Sequence, residues 1–249
     1  MTVFENIIIY RMRFQQPIIK WVKREPTTRG VITMNVPSIE RKSNILFRGG
    51  ITFLGTSLIS CGIAWMRFSG MGTDPFVTMN IGISESIGMD FGTIQMLANI
   101  AVLLVMLRFR PRLIHLGTVL GIFFVGYFSD FLLGLLQNLP DTLTMRMLGL
   151  LIGLIACCFG VAVYMTADMG IAPYDALGII LLEKLPLRLT YREIRIMTDL
   201  SCVAVGLILG AKIGIGTIIT AFFTGPLINY FKKKVELFLA RPHFQKTAS

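Results

Sequence analysis

Six long apolar runs punctuate the chain, near residues 47–66, 91–107, 116–136, 147–166, 194–210 and 213–231. Each approaches the roughly 20 residues that an α-helix needs to cross the hydrocarbon core of a bilayer. Two shorter apolar stretches, 74–88 and 173–186, lie between the first and second runs and between the fourth and fifth. At about 14 residues each, they fall short of a crossing and suit a re-entrant or interfacial helix. The pattern predicts an all-α polytopic membrane protein with six transmembrane helices.

The two short stretches are related. Gly70-Met-Gly-Thr-Asp-Pro-Phe76 aligns with Asp168-Met-Gly-Ile-Ala-Pro-Tyr174 at an offset of 98 residues. Leu116-Gly117-Thr118 aligns with Ile215-Gly216-Thr217 at an offset of 99, and Ile94–Asn99 with Ile194–Asp199 at 100. Gly126 and Asp130 then find Gly225 and Asn229 at matching distances. Near-constant offsets over successive anchors mark an internal duplication. Each unit holds three spans, an odd number, so the second unit enters the membrane from the opposite side. The predicted architecture is two inverted three-helix repeats, each with its short helix after its first span. Inverted repeats are common among transporters, with the site between the halves.

Charge fixes the expected orientation. With the N-terminus in the cytoplasm, 21 of the 24 Lys and Arg residues fall inside and only Arg67, Arg146 and Lys212 outside. That is the asymmetry of the positive-inside rule. Counting the short stretches as full spans would put Arg108, Arg110 and Arg112 outside. The expected division is a basic cytoplasmic segment 1–46, a first membrane repeat 47–137, a second 146–231, and a basic cytoplasmic tail 232–249. For the N-terminal segment three readings stand: a basic amphipathic stretch on the anionic leaflet, a loose tail, or residues upstream of a true start at Met34.

Composition agrees. The chain is 54% hydrophobic and only 15% charged, with a mean hydropathy of +0.70, which a soluble domain of 249 residues would not carry. The net charge of +10 follows from the basic cytoplasmic loops, so no nucleic-acid partner is expected. Cys61, Cys157, Cys158 and Cys202 lie within apolar runs without CxxC spacing, and His115 and His243 stand far apart. No metal, disulfide or cofactor is therefore expected.

Candidate chemistry gathers at the duplicated motif. Asp74 is a good N-cap, Pro75 suits the first helical position, and Gly72 permits a sharp turn before them. In the copy, Gly170 and Pro173 persist and Asp175 falls in the first turn, where the helix dipole favours it. Helix starts entering from opposite faces are expected to converge near the midplane, with Phe76 and Tyr174 beside them. Their free N–H groups favour an anionic or polar solute, whereas Asp74 and Asp175 favour a cation, a proton or an amine. Ordinary loop-to-helix capping accounts for the same residues. Asp130 and Asp199 are carboxylates inside spans, which are costly unless paired or facing a cavity. Asp199 has Arg195 one turn away on its own helix. Asp130 lacks a partner nearby in sequence and is the stronger functional candidate. GxxxG spacing at Gly117/Gly121, Gly149/Gly153 and Gly206/Gly210 suits close helix packing, including a homodimer.

Taken together, the G-x-D-P-F stretch, Phe91-Gly92-Thr93, Gly117-Thr118 and Val125-Gly126-Tyr127-x-x-Asp130 resemble the YczE/YyaS/YitT-type bacterial membrane proteins. The second half matches through Gly170-x-x-Pro173-Tyr174-Asp175, Gly214-x-Gly216-Thr217 and Gly225-Pro226. The resemblance covers residues 47–231 and implies a multipass protein of the bacterial cytoplasmic membrane, of a type often presumed to be permeases. It names no substrate. The first copy has Val77 where the second has Asp175, so the two half-sites differ in chemistry.

The function expected is a secondary permease or channel for a small polar solute, bound by Gly72, Asp74, Pro75, Phe76, Asp130, Gly170, Pro173, Tyr174 and Asp175. The alternative is a membrane scaffold or assembly partner without transport. No catalytic motif and no Walker A sequence is present, so the chain is not expected to be an enzyme.

Overall fold

A computed structural model describes residues 45–184 and 191–239, apart from the Arg192 side chain. The expected N-terminal segment, save its last two residues, and most of the tail lie outside the described residues. Within them are eight α-helices: α1 Ile45–Ser69, α2 Pro75–Ile87, α3 Phe91–Phe109, α4 Leu116–Leu136, α5 Leu143–Thr166, α6 Pro173–Lys184, α7 Tyr191–Ile208 and α8 Ile215–Leu239. A 3₁₀ turn, Pro111–Leu113, links α3 to α4. Each apolar run, and the described part of each short stretch, forms a helix over most of its length. α8 outlasts its expected end at 231 and continues as helix through Lys232, Lys233 and Lys234.

Four helices, α1, α3, α4 and α5, are long and apolar enough to cross a membrane by length and composition. The other two long helices are more polar. α7 carries Glu193, Arg195 and Asp199, and α8 intersperses threonines, Pro226 and Asn229 before its lysines.

An antiparallel pair, α1 and α5, forms the centre. Glycines bring the two backbones together. A Cβ on Gly62 would stand 2.5 Å from the amide nitrogen of Cys157, and one on Gly55 would stand 2.7 Å from that of Tyr164. From the other side, Gly153 meets the Gly62 carbonyl at 2.8 Å and Gly160 meets the Gly55 carbonyl at the same distance. The contact is thus matched, because Gly55 and Gly62 lie 98 residues before Gly153 and Gly160.

The remaining helices pack in matched pairs around this centre. α4 lies against α1, and α8 against α5. α2 packs on α7 and α6 packs on α3, so each short helix seats on a long helix from the other half of the chain. Met106 of α3 closes on Ala176 and Ile180 of α6. Across the other seam, a Cβ on Gly82 of α2 would be 2.8 Å from the Gly206 carbonyl of α7.

Most of the expected GxxxG faces are occupied inside the chain. Gly149 and Gly153 face α1, Gly206 faces α2, and Gly117 meets the Met169 carbonyl. Gly121 and Gly210 have nothing within 4 Å. The outer surface is strongly apolar, with Leu54, Leu104, Phe131, Leu151, Leu200 and Ile218 exposed.

Candidate functional site

The two proline-led helix starts are built by the local rules that their sequences suggest. Asp74 sits in extended conformation before α2, and its Oδ1 accepts from the Phe76 and Val77 amides at 3.2 Å each. Pro75 opens the helix where no N–H is needed. At α6 no carboxylate caps the start. The Ala172 carbonyl accepts from the Asp175 and Ala176 amides at 3.0 Å, and Asp175 lies in the first turn.

Two glycines make the approach possible. Gly72 has φ +107° and Gly170 has φ +118°, a region that disfavours side chains. A Cβ on Gly72 would collide with the Thr217 hydroxyl, and one on Gly170 with the Thr118 hydroxyl. Each motif is then pinned to the other half of the chain. The Gly216 amide donates to the Met71 carbonyl at 2.8 Å, and the Gly117 amide donates to the Met169 carbonyl at 2.8 Å. Thr118 Oγ1 donates to the Ile171 carbonyl at 3.1 Å, and Thr220 Oγ1 to the Thr73 carbonyl at 3.3 Å.

This pinning brings the helix starts face to face. The rings of Phe76 and Tyr174 stack with centroids 4.6 Å apart and planes 19° from parallel. A charged cluster continues from Tyr174. Its hydroxyl donates to Asp199 Oδ1 at 2.6 Å, and the Arg195 guanidinium carbon lies 4.2 Å over its ring. Arg195 Nη1 donates to Asp175 Oδ1 at 2.7 Å, while its Nε is 3.4 Å from Asp199 Oδ1. The pairing expected from sequence, Arg195 with Asp199, is present. The shorter bond, to Asp175, went unread because those residues lie on different helices.

Beside the aromatic pair the interior is polar. Thr73, Thr78, Asn80, Gln95, Asn99 and Thr220 are all buried. Thr73 and Thr78 share a hydroxyl–hydroxyl bond of 2.9 Å, and Asn80 Nδ2 donates to Gln95 Oε1 at 2.6 Å. Asn99 Nδ2 bonds back to the Gln95 carbonyl at 2.9 Å. The buried Asn80 Oδ1 has no partner among the described residues.

Asp130 is placed differently from the other candidates. Its Oδ1 accepts from Arg67 Nη1 at 2.6 Å and its Oδ2 from the Gly92 amide at 2.6 Å, while Arg67 lies 4.0 Å over the Phe91 ring. It therefore caps α3 and neutralises an arginine at the end of α1. None of its bonds reaches Asp74, Phe76, Tyr174 or Asp175. The sequence showed no partner because Arg67 lies 63 residues away.

Among the described residues, an all-helical fold with four helices long and apolar enough to cross a membrane, an apolar exterior and a polar interior defines a helical membrane protein. The chain belongs to the family of unknown function DUF6198, whose match covers residues 46–233. It is similar to an "Uncharacterized protein" of Haemophilus influenzae, with 29% identity across 73% of this chain and 81% of that one. It is also similar to two Bacillus subtilis proteins. With "Uncharacterized protein YyaS" it shares 28% identity over 74% of this chain and 91% of the relative. With "Uncharacterized membrane protein YczE" it shares 23% over 76% and 87%. The kinship with YyaS and YczE expected from the motifs is thus borne out. No solved structure matches the chain at a significant level.

Proposed function

We propose that this protein is a secondary permease or channel for a small polar solute, built as six spans in two inverted repeats of the bacterial cytoplasmic membrane. Both termini are cytoplasmic in this reading. α7 and α8 serve as the fifth and sixth spans, with Arg195, Asp199 and Thr220 bonded to partners within the bundle. The solute site lies at the junction of the two helix starts: Gly72, Asp74, Pro75 and Phe76 from one side, Gly170, Pro173, Tyr174 and Asp175 from the other. Arg195 and Asp199 join it. Asp130 is reassigned from solute binding to holding the first half together.

The observation that carries this reading is the stack of Phe76 on Tyr174. Residues at equivalent positions of the duplicated motif meet each other, as a two-fold axis through the site requires. Proline-led half-helices meeting between inverted repeats are a recurrent way of placing polar groups deep in a bilayer. The buried Asn80 Oδ1, without a partner among the described residues, supports an aqueous path, because an unsatisfied polar group in a dry interior is costly.

Thiol accessibility tests the proposal. In a protein freed of its four cysteines, single cysteines replace Phe76 or Tyr174 and meet an impermeant maleimide from each side. A shared pathway makes both react, each at least partly from the face opposite its own loop. Protection of both in folded protein, or reaction of each only from its own loop side, rejects the pathway and leaves the scaffold reading.

A further inference from the structure

The two halves are joined by side-chain ion pairs at one end of the bundle. Arg48, in the first turn of α1, donates from Nε to the Ala167 carbonyl at 2.9 Å. Its Nη2 reaches the Asp168 carbonyl and stands 3.5 Å from the Asp168 carboxylate. Arg110, just past α3, grips Glu183 of α6 with both prongs, Nε to Oε2 at 2.8 Å and Nη2 to Oε1. Such fork-to-fork pairing is the stronger form of charge-assisted bond. Both pairs cross from one half to the other. Both lie where α1 begins and α3 ends.

The duplication shows what stands at the equivalent positions of the other end. Arg48 is matched at 98 residues by Arg146, but Asp168 is matched by Gly70. Arg146 accordingly turns to its own loop, donating to Asp141 at 2.5 and 2.6 Å. Glu183 is matched by Glu85, but the positions answering Arg110 are Ile208, Leu209 and Gly210. One partner of each pair is missing there. The opposite seam, between α2 and α7, is held by the close approach of Gly82 and Gly206 and of Gly206 to the Thr78 carbonyl at 3.0 Å.

We infer that Arg110–Glu183 forms a latch that holds the α3–α6 seam shut at the end where α1 begins, backed at that end by Arg48–Asp168, which ties α1 to the loop leading into α6, and that among the described residues no equivalent ion-pair latch holds the α2–α7 seam. The halves therefore part asymmetrically, and breaking the latch biases the molecule towards a state open at the latched end. The inference rests on the reading of two repeats that move against each other. It concerns the seam and makes no demand on the identity of the solute.

The test places a single cysteine at Ala176, fully buried in the latched seam, or at Thr78, 1% exposed on α2. Each is placed in the full-length, otherwise cysteine-free protein in native vesicles. A cysteine at the exposed Arg112 reports which face the maleimide has reached. Glu183→Gln should speed labelling at position 176 from the Arg112 face by about tenfold, the scale of one lost charge-assisted bond, without speeding it at position 78. The charge swap Arg110→Glu with Glu183→Arg should restore slow labelling, which a misfolded protein would not do. Unchanged rates in Glu183→Gln and Arg110→Gln, or a rise at both seams together, overturn the latch. Failure of the permease reading looks different: positions 76 and 174 stay dry even where position 176 opens. An unchanged seam with wet positions 76 and 174 removes the latch alone.

Discussion

The two halves of the chain share a backbone plan and differ in where their charges are spent. In the first half, Asp130 on α4 is bonded to Arg67 and to the Gly92 amide, so α4 is tied to α1 and α3. The matching residue in the second half is Asn229. There the charges stand instead on Asp175, Arg195 and Asp199 around Tyr174. The backbone bonds that pin each motif, Gly216 to Met71 and Gly117 to Met169, are kept in both halves at the same length. The contacts made by glycine and main chain are matched in the two halves. Side-chain charge differs between them, so that in the proposed reading one half is fastened and the other is chemically equipped.

The central seam belongs equally to both halves, and breaking it should have the largest effect. Gly62→Leu drives four carbons into the α5 backbone, where even a Cβ stands 2.5 Å from an amide nitrogen. No folded, monodisperse protein is expected from detergent extraction, whereas Gly121→Leu, with nothing within 4 Å, should extract normally. Equal recovery of the two variants would mean that the α1–α5 contact does not organise the fold.

Next in size is the fastening of the first half. Arg67→Ala leaves Asp130 largely buried and unpaired, a change that typically costs roughly 3–5 kcal/mol. Thermal unfolding in detergent should show a clear drop in Tm, and Asn229→Ala in the second half a much smaller one. Asp130→Asn should likewise lose stability before it loses any specific activity. A stable Asp130→Asn protein with normal Tm and no transport would return Asp130 to the solute site.

The equipped half is probed by Tyr174→Phe. It keeps the stack on Phe76 and removes only the hydroxyl that bonds Asp199 at 2.6 Å. A hydrogen bond to a charged group contributes roughly 1.5–3 kcal/mol, so solute-dependent flux in proteoliposomes should fall about tenfold or more. Phe76→Tyr, which adds a hydroxyl in the first half, should not restore it. Unaltered flux in Tyr174→Phe would detach the charged cluster from the transport path.

The sequence made one level of this architecture readable and hid the next. Apolar runs, the Gly–Pro motif and the offsets near 98 are local signals, and every helix they implied is present. Asp74 as N-cap and Pro75 as first helical residue follow from stereochemistry within a few residues, so they too were legible. The bonds of Arg67 with Asp130 and of Arg195 with Asp175 join separate helices, 63 and 20 residues apart. No periodicity specifies which charged faces will meet. The stack of Phe76 on Tyr174 lay between these cases, since converging helix starts were expected but ring contact depends on packing. The helix α8 runs past the apolar run that ends at 231, because lysines end an apolar run without ending a helix.

The smallest expected effect tests the divergence of Arg48 and Arg146 directly. Arg48 reaches across to Asp168, whereas Arg146 bonds Asp141 in the preceding loop. Its hydrogen bonds hold the Asp141 carboxyl below the usual aspartate range. A carboxyl whose pKa is depressed by folding contributes stability that is fully present above its ordinary pKa. That contribution is lost as pH falls through the lowered value. The pair is exposed to solvent, where screening leaves such contributions slight. Asp141→Asn should therefore lower Tm only marginally at neutral pH, and the gap to the wild-type protein should close in strongly acidic buffer. Arg48→Gln should lower Tm more, since it unfastens two halves and not one loop. If the two arginines prove equally dispensable, the ends of the bundle are held alike, and the asymmetry of their charges has no mechanical consequence.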